Sequence, residues 1–402
     1  MRILFVAMAN SIHTARWIEQ LRGEGWDIHL FPAEDAHIHP ELREVTVHDL
    51  LYQRSAELDR SVPIIGGWPF PRGANGAKRI VRRFAPTWSE RSRRLARTIK
   101  ALRPDIVHSM EIQHAGYLTL AAREHLGGTF PPWMVANWGS DIYLFGQLAE
   151  HNDRIKAVLA ACDYYNCECH RDVILARKFG LRGEVFPVLP VTGGLNIEGA
   201  RRLRQPGPTS SRRLIALKGY QHFAGRALVG LRAVELCANA LAGYRIALYS
   251  AAPEVQLAAE LLTRSTGLPI AIVPHGAHEA MLRLHGQARV SLGLSISDSI
   301  STSVLEAMTM GSFPIQSYTG CANEWFRDGE GGLLVHPEDP EGVAAALRRA
   351  VADDALVDRA AMINAGVVAA RLDHAVVRPQ VVAMYNRILA EQGGPKASYS
   401  YE

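Results

Sequence analysis

Residues 288–317 read ARVSLGLSISDSISTSVLEAMTMGSFPIQS, and their patterning decides the fold class. Arg289 to Ser297 is β-prone and closes on small polar residues. From Thr302 the apolar positions Val304, Leu305 and Met308 run with helical spacing to a glycine stop at Gly311, and Phe313 to Gln316 restarts an extended run. Strand, loop, helix and strand in that order make one repeat of an α/β sheet. The loop Ser297-Asp298-Ser299-Ile300-Ser301 opens the helix with hydroxyls, and Ser301, Thr302 and Ser303 supply backbone N–H groups at the positive end of the helix dipole. A phosphate arriving there meets unpaired donors. Asp298 in the loop and Glu306 about one turn inside the helix flank that seat, and two carboxylates suit the hydroxyls of a sugar or ribose better than a bare inorganic anion. A capping serine or aspartate would serve any strand-loop-helix unit, but capping alone asks for neither Glu306 nor the Gly311-x-x-Pro314 stop.

The chain of 402 residues, 48% hydrophobic and 21% charged, is long enough for two domains with separate cores and is not disordered by composition. Its net charge of +4 is mild, so electrostatic partners must be sought in local clusters. The cysteines at 162, 167, 169, 237 and 321 are odd in number and form no disulfide framework, which fits a reducing cytoplasm. Cys162, Cys167, Cys169 and His170 lack the paired spacing of a zinc site, and buried or idle thiols are expected. No run reaches the ~18 apolar residues of a membrane span. Met1 to Ala9 reads as a first strand rather than a signal peptide, because an amphipathic helix follows it directly.

Taken in order, strand Ile3 to Met8 leads through Asn10-Ser11-Ile12-His13 into a helix carrying Trp17, Ile18 and Leu21. Such a loop faces the mouth of a parallel sheet, and it lacks the glycine fingerprint of a dinucleotide site. Trp26 to Phe31 is a second strand, and residues 34 to 75 read as loop. Arg72, Lys78, Arg79, Arg82, Arg83, Arg91, Arg93, Arg94, Arg97, Lys100 and Arg103 then form the strongest charge cluster, opposed locally only by Glu90 and interrupted by Phe84 and Trp88. It reads equally as a solvated helix face or as a patch for anionic lipid headgroups; no nucleic-acid-binding motif accompanies it. Strands at Asp105 to Ser109 and Trp133 to Asn137 end in Glu111 to Gly116 and in Trp138-Gly139-Ser140-Asp141. The Arg-, Pro- and Ser-rich stretch 201–213 reads as a linker. Strand Leu214 to Leu217 then delivers Lys218-Gly219, with Gly225-Arg226 opening a helix; Tyr244 to Ser250 and Pro269 to Val273 are further strands, the latter ending in His275-Gly276. The chain is helical from about Asp339, and from Gly393 a loose tail is expected.

The acid-x7-acid spacing of Asp298 and Glu306, continuing through Leu305-Glu306-Ala307-Met308-x-x-Gly311-x-x-Pro314-Ile315, resembles the nucleotide-sugar motif of family-4 glycosyltransferases of the GT-B fold. Pro104-Asp105-Ile106-Val107-His108 and the later Trp138-Gly139-Ser140-Asp141 resemble the cleft-lining strand ends of that family's N-terminal domain, and Gly320, Glu324 and Asp328 to Gly332 its glycine-rich stretch after the motif. Two departures stand out. Asp298-Ser299-Ile300-Ser301 replaces Glu-Gly-Phe-Gly, and Trp138 stands where many relatives carry histidine.

The resemblance implies two Rossmann-like domains facing a central cleft: residues 1–200 for the acceptor, 201–375 for the nucleotide sugar, and 376–392 as a helix crossing back to the first domain. It implies donor contacts at Lys218, Arg226, His275, Gly276, Asp298, Ser301, Thr302, Ser303 and Glu306. Asp141, Lys218, Arg226 and Asp298 are the residues expected to carry the chemistry. Asn10, Ser11, His13, Glu111 and Asp141 are expected on the acceptor side. The implied reaction is glycosyl transfer from a nucleotide-diphosphate sugar, with retention, to a glycan, lipid-linked or small-molecule hydroxyl, as in bacterial surface-polysaccharide or glycoconjugate synthesis. Neither metal nor cofactor is expected, and the expected location is the cytoplasm, peripheral at the inner face of the membrane. A sugar-nucleotide epimerase of the same fold, and a catalytically idle sugar-nucleotide-binding protein, remain open on sequence grounds.

Overall fold

The computed structural model describes residues 1–70, 72–274 and 276–393. They form two compact units, one comprising Met1–Gly193 and the chain from Val377, the other Gly194–Val376. Each is built on one parallel sheet. The first holds β1 (Arg2–Ala7), β2 (Asp27–Pro32), β3 (Thr46–Tyr52), β4 (Ile64–Gly67), β5 (Ile106–Met110), β6 (Trp133–Asn137), β7 (Tyr164–Cys167) and β8 (Glu184–Val185), ordered β4-β3-β2-β1-β5-β6-β7-β8. The second holds β9 (Leu214–Lys218), β10 (Arg245–Tyr249), β11 (Ile270–Val273), β12 (Val290–Gly293), β13 (Phe313–Ser317) and β14 (Leu333–Val335), ordered β11-β10-β9-β12-β13-β14.

The apolar runs explain why both sheets are covered on both faces. Ile3, Phe5 and Ala7 of β1 enter one core while Leu4 and Val6 enter another, because successive side chains leave a strand on opposite sides. In the second unit Ile215 and Leu217 point one way, and Leu214 and Ala216 the other. Strand order reverses between β1 and β5 in the first unit and between β9 and β12 in the second, and ligands of open α/β sheets gather at the carboxyl ends beside such reversals.

Three sequence expectations change. The stretch 34–75, read as loop, contributes the seven-residue β3 and, outside it at the sheet edge, the four-residue β4, which Pro63 before it and its own Gly66-Gly67 disguise. The stretch 201–213, read as a linker, lies inside the second unit, and the division falls at Gly193–Gly194. Buried Arg212 donates to the carbonyls of Ala288 and Met310, Thr209 to that of Gly311, and Ser210 to the Asp358 carboxylate, so these side chains fasten the stretch to the second unit. Finally, the basic cluster is not opposed by Glu90 alone. Asp35 takes Lys78, Arg82 and Arg91, while Asp49, buried in β3, takes Arg94 and Lys78. Burial alone would raise the Asp35 pKa, but Arg91, Arg82 and Lys78 outweigh it and hold the carboxyl at about 2.

The last helix, His374–Gly393, carries Val377, Val381, Tyr385 and Ile388 into the core of the first unit. The Tyr385 hydroxyl accepts from Trp17 Nε1 and bonds His108 Nδ1, each at 2.8 Å and fully buried. Burial pushes the His108 imidazole down to about 3. The tail beyond Gly393 lies outside the described residues.

Candidate functional site

The second unit places its polar residues at the reversal between β9 and β12. Helix Thr302–Thr309 follows β12 through the loop 294–301 and opens at Ser301, whose side chain makes no cap hydrogen bond. Its hydroxyl is used otherwise. Lys218, the last residue of β9, sends its ammonium 2.9 Å to Ser301 Oγ, which lies 2.8 Å from Ser303 Oγ. The ammonium also lies 4.5 Å over the Tyr220 ring. A cation, two hydroxyls and a helix N-terminus with no side-chain cap therefore converge. The helix ends where expected, at Gly311 with φ 70°, a position where a Cβ would come within 2.5 Å of Arg204 Cζ.

Glu306 is buried one turn into that helix. Its Oε1 lies 2.7 Å from His278 Nε2, and its Oε2 lies 3.9 Å from His285 Nε2. His285 is fully buried, 2.9 Å from Ser291 Oγ, which in turn lies 2.8 Å from Ser312 Oγ. Burial pushes His285 down to about 4 against the opposing pull of Glu306, so it is neutral at pH 7. Sequence reasoning missed both histidines. The signal was available, since positions 278 and 285 lie seven apart on one helix, His278–Gln287, and therefore share a face.

Asp298 is half-buried in the loop, where Gly320 approaches it closely: a Cβ there would lie 3.4 Å from Asp298 Cβ. Arg226 is engaged elsewhere. Its Nε lies 2.9 Å from Glu338 Oε1 and its Nη1 donates to the carbonyls of His222, Phe223 and Gly225, so it braces the loop after β9. That loop is tightly folded, and a Cβ on Gly225 would sit 2.4 Å from the Tyr220 carbonyl oxygen. Thr302 is half-buried as the first residue of its helix, and Gly276 is exposed just before helix His278–Gln287. His275 lies outside the described residues.

In the first unit the expected acceptor residues gather at the ends of β1, β5 and β6. Ser11 caps helix Ile12–Glu19 by accepting from the His13 N–H at 3.2 Å, and the His13 ring meets Trp138 edge to face at 5.5 Å. Asn10 beside it is half-buried. Glu111 adopts φ 77° and ψ 158°, backbone territory that normally belongs to glycine, and is held there because its carboxylate accepts from His114 N at 2.7 Å and Ala115 N at 2.5 Å. Asp141 is buried, with Oδ2 accepting from the N–H groups of Ile112 and Trp138 at 3.1 Å each. Burial first, and the Glu111 charge second, raise its pKa to about 7 against those donors. Asp141 thus ties the loops after β5 and β6 together. The His114 imidazole, 3.3 Å from the Glu111 carboxylate, is raised by that partner.

All five cysteines are buried, and among the described residues none forms a disulfide. No described helix is long and apolar enough to cross a membrane.

Comparison with known proteins agrees with this picture. Residues 2–168 match the family described as Glycosyl transferase 4-like, and residues 223–353 that described as Glycosyl transferases group 1. A D-inositol 3-phosphate glycosyltransferase from a Nocardioides species is 35% identical over 109 residues, a stretch that spans 26% of this chain and 24% of that relative. Sucrose-phosphate synthase from Thermosynechococcus elongatus superposes with a TM-score of 0.67 at 17% identity, covering 97% of this chain and 99% of that one. The Anabaena protein HepE in complex with UDP and glucose gives 0.67 at 13% identity over 96% and 100%. A trehalose 6-phosphate synthase from Burkholderia multivorans gives 0.67 at 14% identity over 98% and 99%. These likenesses show the fold, two parallel-sheet α/β units of the GT-B kind.

Proposed function

Because the chain belongs to the family-4-type glycosyltransferases of GT-B fold, we propose that it moves a sugar from a nucleotide-diphosphate donor, bound by the second unit, to a hydroxyl presented at the first. One observation carries the donor half: Lys218, Ser301 and Ser303 meet within hydrogen-bond distance at the N-terminus of the Thr302–Thr309 helix. The diphosphate sits there. As the glycosidic C1–O bond breaks, the charge gathering on the departing phosphate oxygen is met by the Lys218 ammonium and by the N–H groups at the helix start, donors already in position before the reaction. Fixed positive charge of this kind makes a metal unnecessary for the leaving group. Glu306, held by His278, takes donor hydroxyls, and Asp298 takes a hydroxyl of the transferred sugar.

Acceptor binding falls to Asn10, Ser11, His13 and Glu111, with Asp141 fixing the loop that bears Glu111. The acceptor oxygen forms the new C1–O bond from the face the diphosphate leaves, its proton passing to the departing phosphate, which retains configuration. HepE was solved with UDP and with UDP-glucose, so uridine diphosphate sugars are the first donors to try. The basic and aromatic segment from Arg72 to Arg103 suits a membrane surface, where a lipid-linked acceptor of bacterial surface-polysaccharide type would be met. The test is a thermal-shift panel of nucleotide sugars, since a bound ligand raises the melting temperature by mass action, followed by transfer assays with the ligands that bind. Turnover undiminished by a strong chelator is expected. Stabilisation by no nucleotide sugar, or turnover that chelation abolishes and magnesium restores, would overturn the reading.

A further inference from the structure

A cavity of about 930 Å³ in the first unit lies away from the strand ends that bear Glu111 and Asp141. It runs along the outer face of helix Arg91–Leu102, where Arg93, Ala96, Arg97 and Lys100 recur three and four apart, and its far wall is Leu126 and Phe130. Pro104–Asp105 and Pro131–Pro132 close it beneath, just before β5 and β6 begin, at the opposite end of the sheet from the acceptor residues.

Acid pairing neutralises much of the basic segment but, among the described residues, reaches only Arg93 of the cavity's Arg and Lys side chains. Lys78, Arg82 and Arg91 converge on Asp35, Arg94 meets Asp49, and Arg93 meets Glu90. Among the described residues, Lys100 and Arg103 pair with no carboxylate. Asp105 also lines the cavity, but its carboxylate already accepts the Arg2 N–H at 2.7 Å. Arg97 lies 5.4 Å over the Trp88 ring, keeping a further cation at the rim. Apolar lining from Ala96, Ile99, Leu126 and Phe130 thus accompanies these cations in the cavity wall.

Large apolar side chains stand exposed at Trp88 of the lining and in the helix that precedes it in the chain. Trp88 lines the cavity and is 50% exposed, Phe84 just before it is 78% exposed, and Ile80 one turn earlier on helix Ala74–Phe84 is 58% exposed. Exposed aromatics next to unpaired cations suit a bilayer interface. We infer that the cavity is a binding site for one anionic phospholipid, its phosphate on Lys100 and Arg103 and its first chain carbons over Ile99, Leu126 and Phe130, while Phe84 and Trp88 enter the bilayer. The site is distinct from the donor and acceptor positions proposed above.

The experiment is flotation with phosphatidylcholine vesicles, with and without phosphatidylglycerol, at low and high salt. The wild type is expected to float with the anionic vesicles at low salt and to be released by high salt. Lys100→Glu combined with Arg103→Asn is expected to cut that partitioning at least about tenfold with an unchanged melting temperature; asparagine is chosen because position 103 holds φ 50°. Arg79→Ser with Arg83→Ser, basic residues of the same segment outside the cavity lining, is expected to cost less. An equal or larger loss from the Arg79/Arg83 pair would overturn the cavity as the site, leaving general surface charge. Stabilisation by millimolar glycerol phosphate equal to that by the lipid would overturn the lipid as occupant in favour of a soluble anion. Because none of these readouts needs turnover, their failure would leave the proposed transfer untouched.

Discussion

At the order reversal of the first unit, the loops after β5 and β6 bring carboxylates, Glu111 and Asp141, and backbone N–H groups occupy both. At the reversal of the second unit, the strand ends bring an ammonium and hydroxyls, and the helix start beside them has no side-chain cap. The same topology thus yields a loop clamp in one unit and, in the other, the helix start proposed above as the diphosphate seat. What separates them is where the N–H donors point: inward to a buried acid, or outward at an open helix end. Strand order selects the place, and the residue types at the strand ends select the ligand chemistry.

The harshest test of this contrast removes the cation. Lys218→Ala is expected to lower kcat about 10²- to 10³-fold, the loss that follows removal of one preorganised donor to a developing anion. Thermal unfolding should barely change. A near-wild-type kcat would put the leaving group elsewhere.

The two units should also answer pH in opposite directions. Burial, and then the Glu111 charge, push the Asp141 pKa up from 3.8 to about 7, so its contribution is complete below about pH 4 and is lost as the pH rises through 7. His285 has the reverse sign. Lowered from 6.5 to about 4, it contributes above about pH 6.5 and loses that contribution as the pH falls toward 4. At about 1.4 kcal/mol per pKa unit each effect is on the order of a few kcal/mol. Hydrogen exchange resolved by peptide should show the 111–141 loops loosening at high pH and the 278–312 region loosening at low pH. Asp141→Asn should abolish the first effect alone. Parallel behaviour of both regions would break the contrast.

Glu306→Gln comes next in size. It is expected to raise the Kd for a nucleotide-diphosphate sugar about ten- to a hundredfold, in the range of a hydrogen bond to a charged group, while the KM for acceptor stays put. Glu111→Gln should show the converse, a raised acceptor KM at constant donor Kd. Calorimetry on donor and initial-rate kinetics on acceptor separate the two, and crossed effects would erase the division of labour. Smallest is Asp298→Glu, which lengthens the acid by one methylene. A change in transfer rate or donor discrimination of about tenfold or less is expected, because the loop glycines are also absent. Unchanged discrimination across donors would remove Asp298 from the sugar.

Much of this was legible in one dimension, for a definite reason. Periodicity of apolar residues, a glycine at φ 70° and a hydroxyl-rich helix start are local properties, so the unit from Val290 to Ser317 and the helix start at Ser301–Ser303 follow from nearest neighbours along the chain. Family motifs extend that reach to Lys218 and Glu306. What local reading could not supply are partners remote in sequence: His278 against Glu306, Asp35 drawing in Lys78, Arg82 and Arg91, Glu338 turning Arg226 toward its own loop. Electrostatic fate depends on distance and burial, and both are set only when the sheet closes. The sequence by itself determined where the strands end and which groups stand there; tertiary packing decided which of those charges remain available and which are consumed in holding the loops.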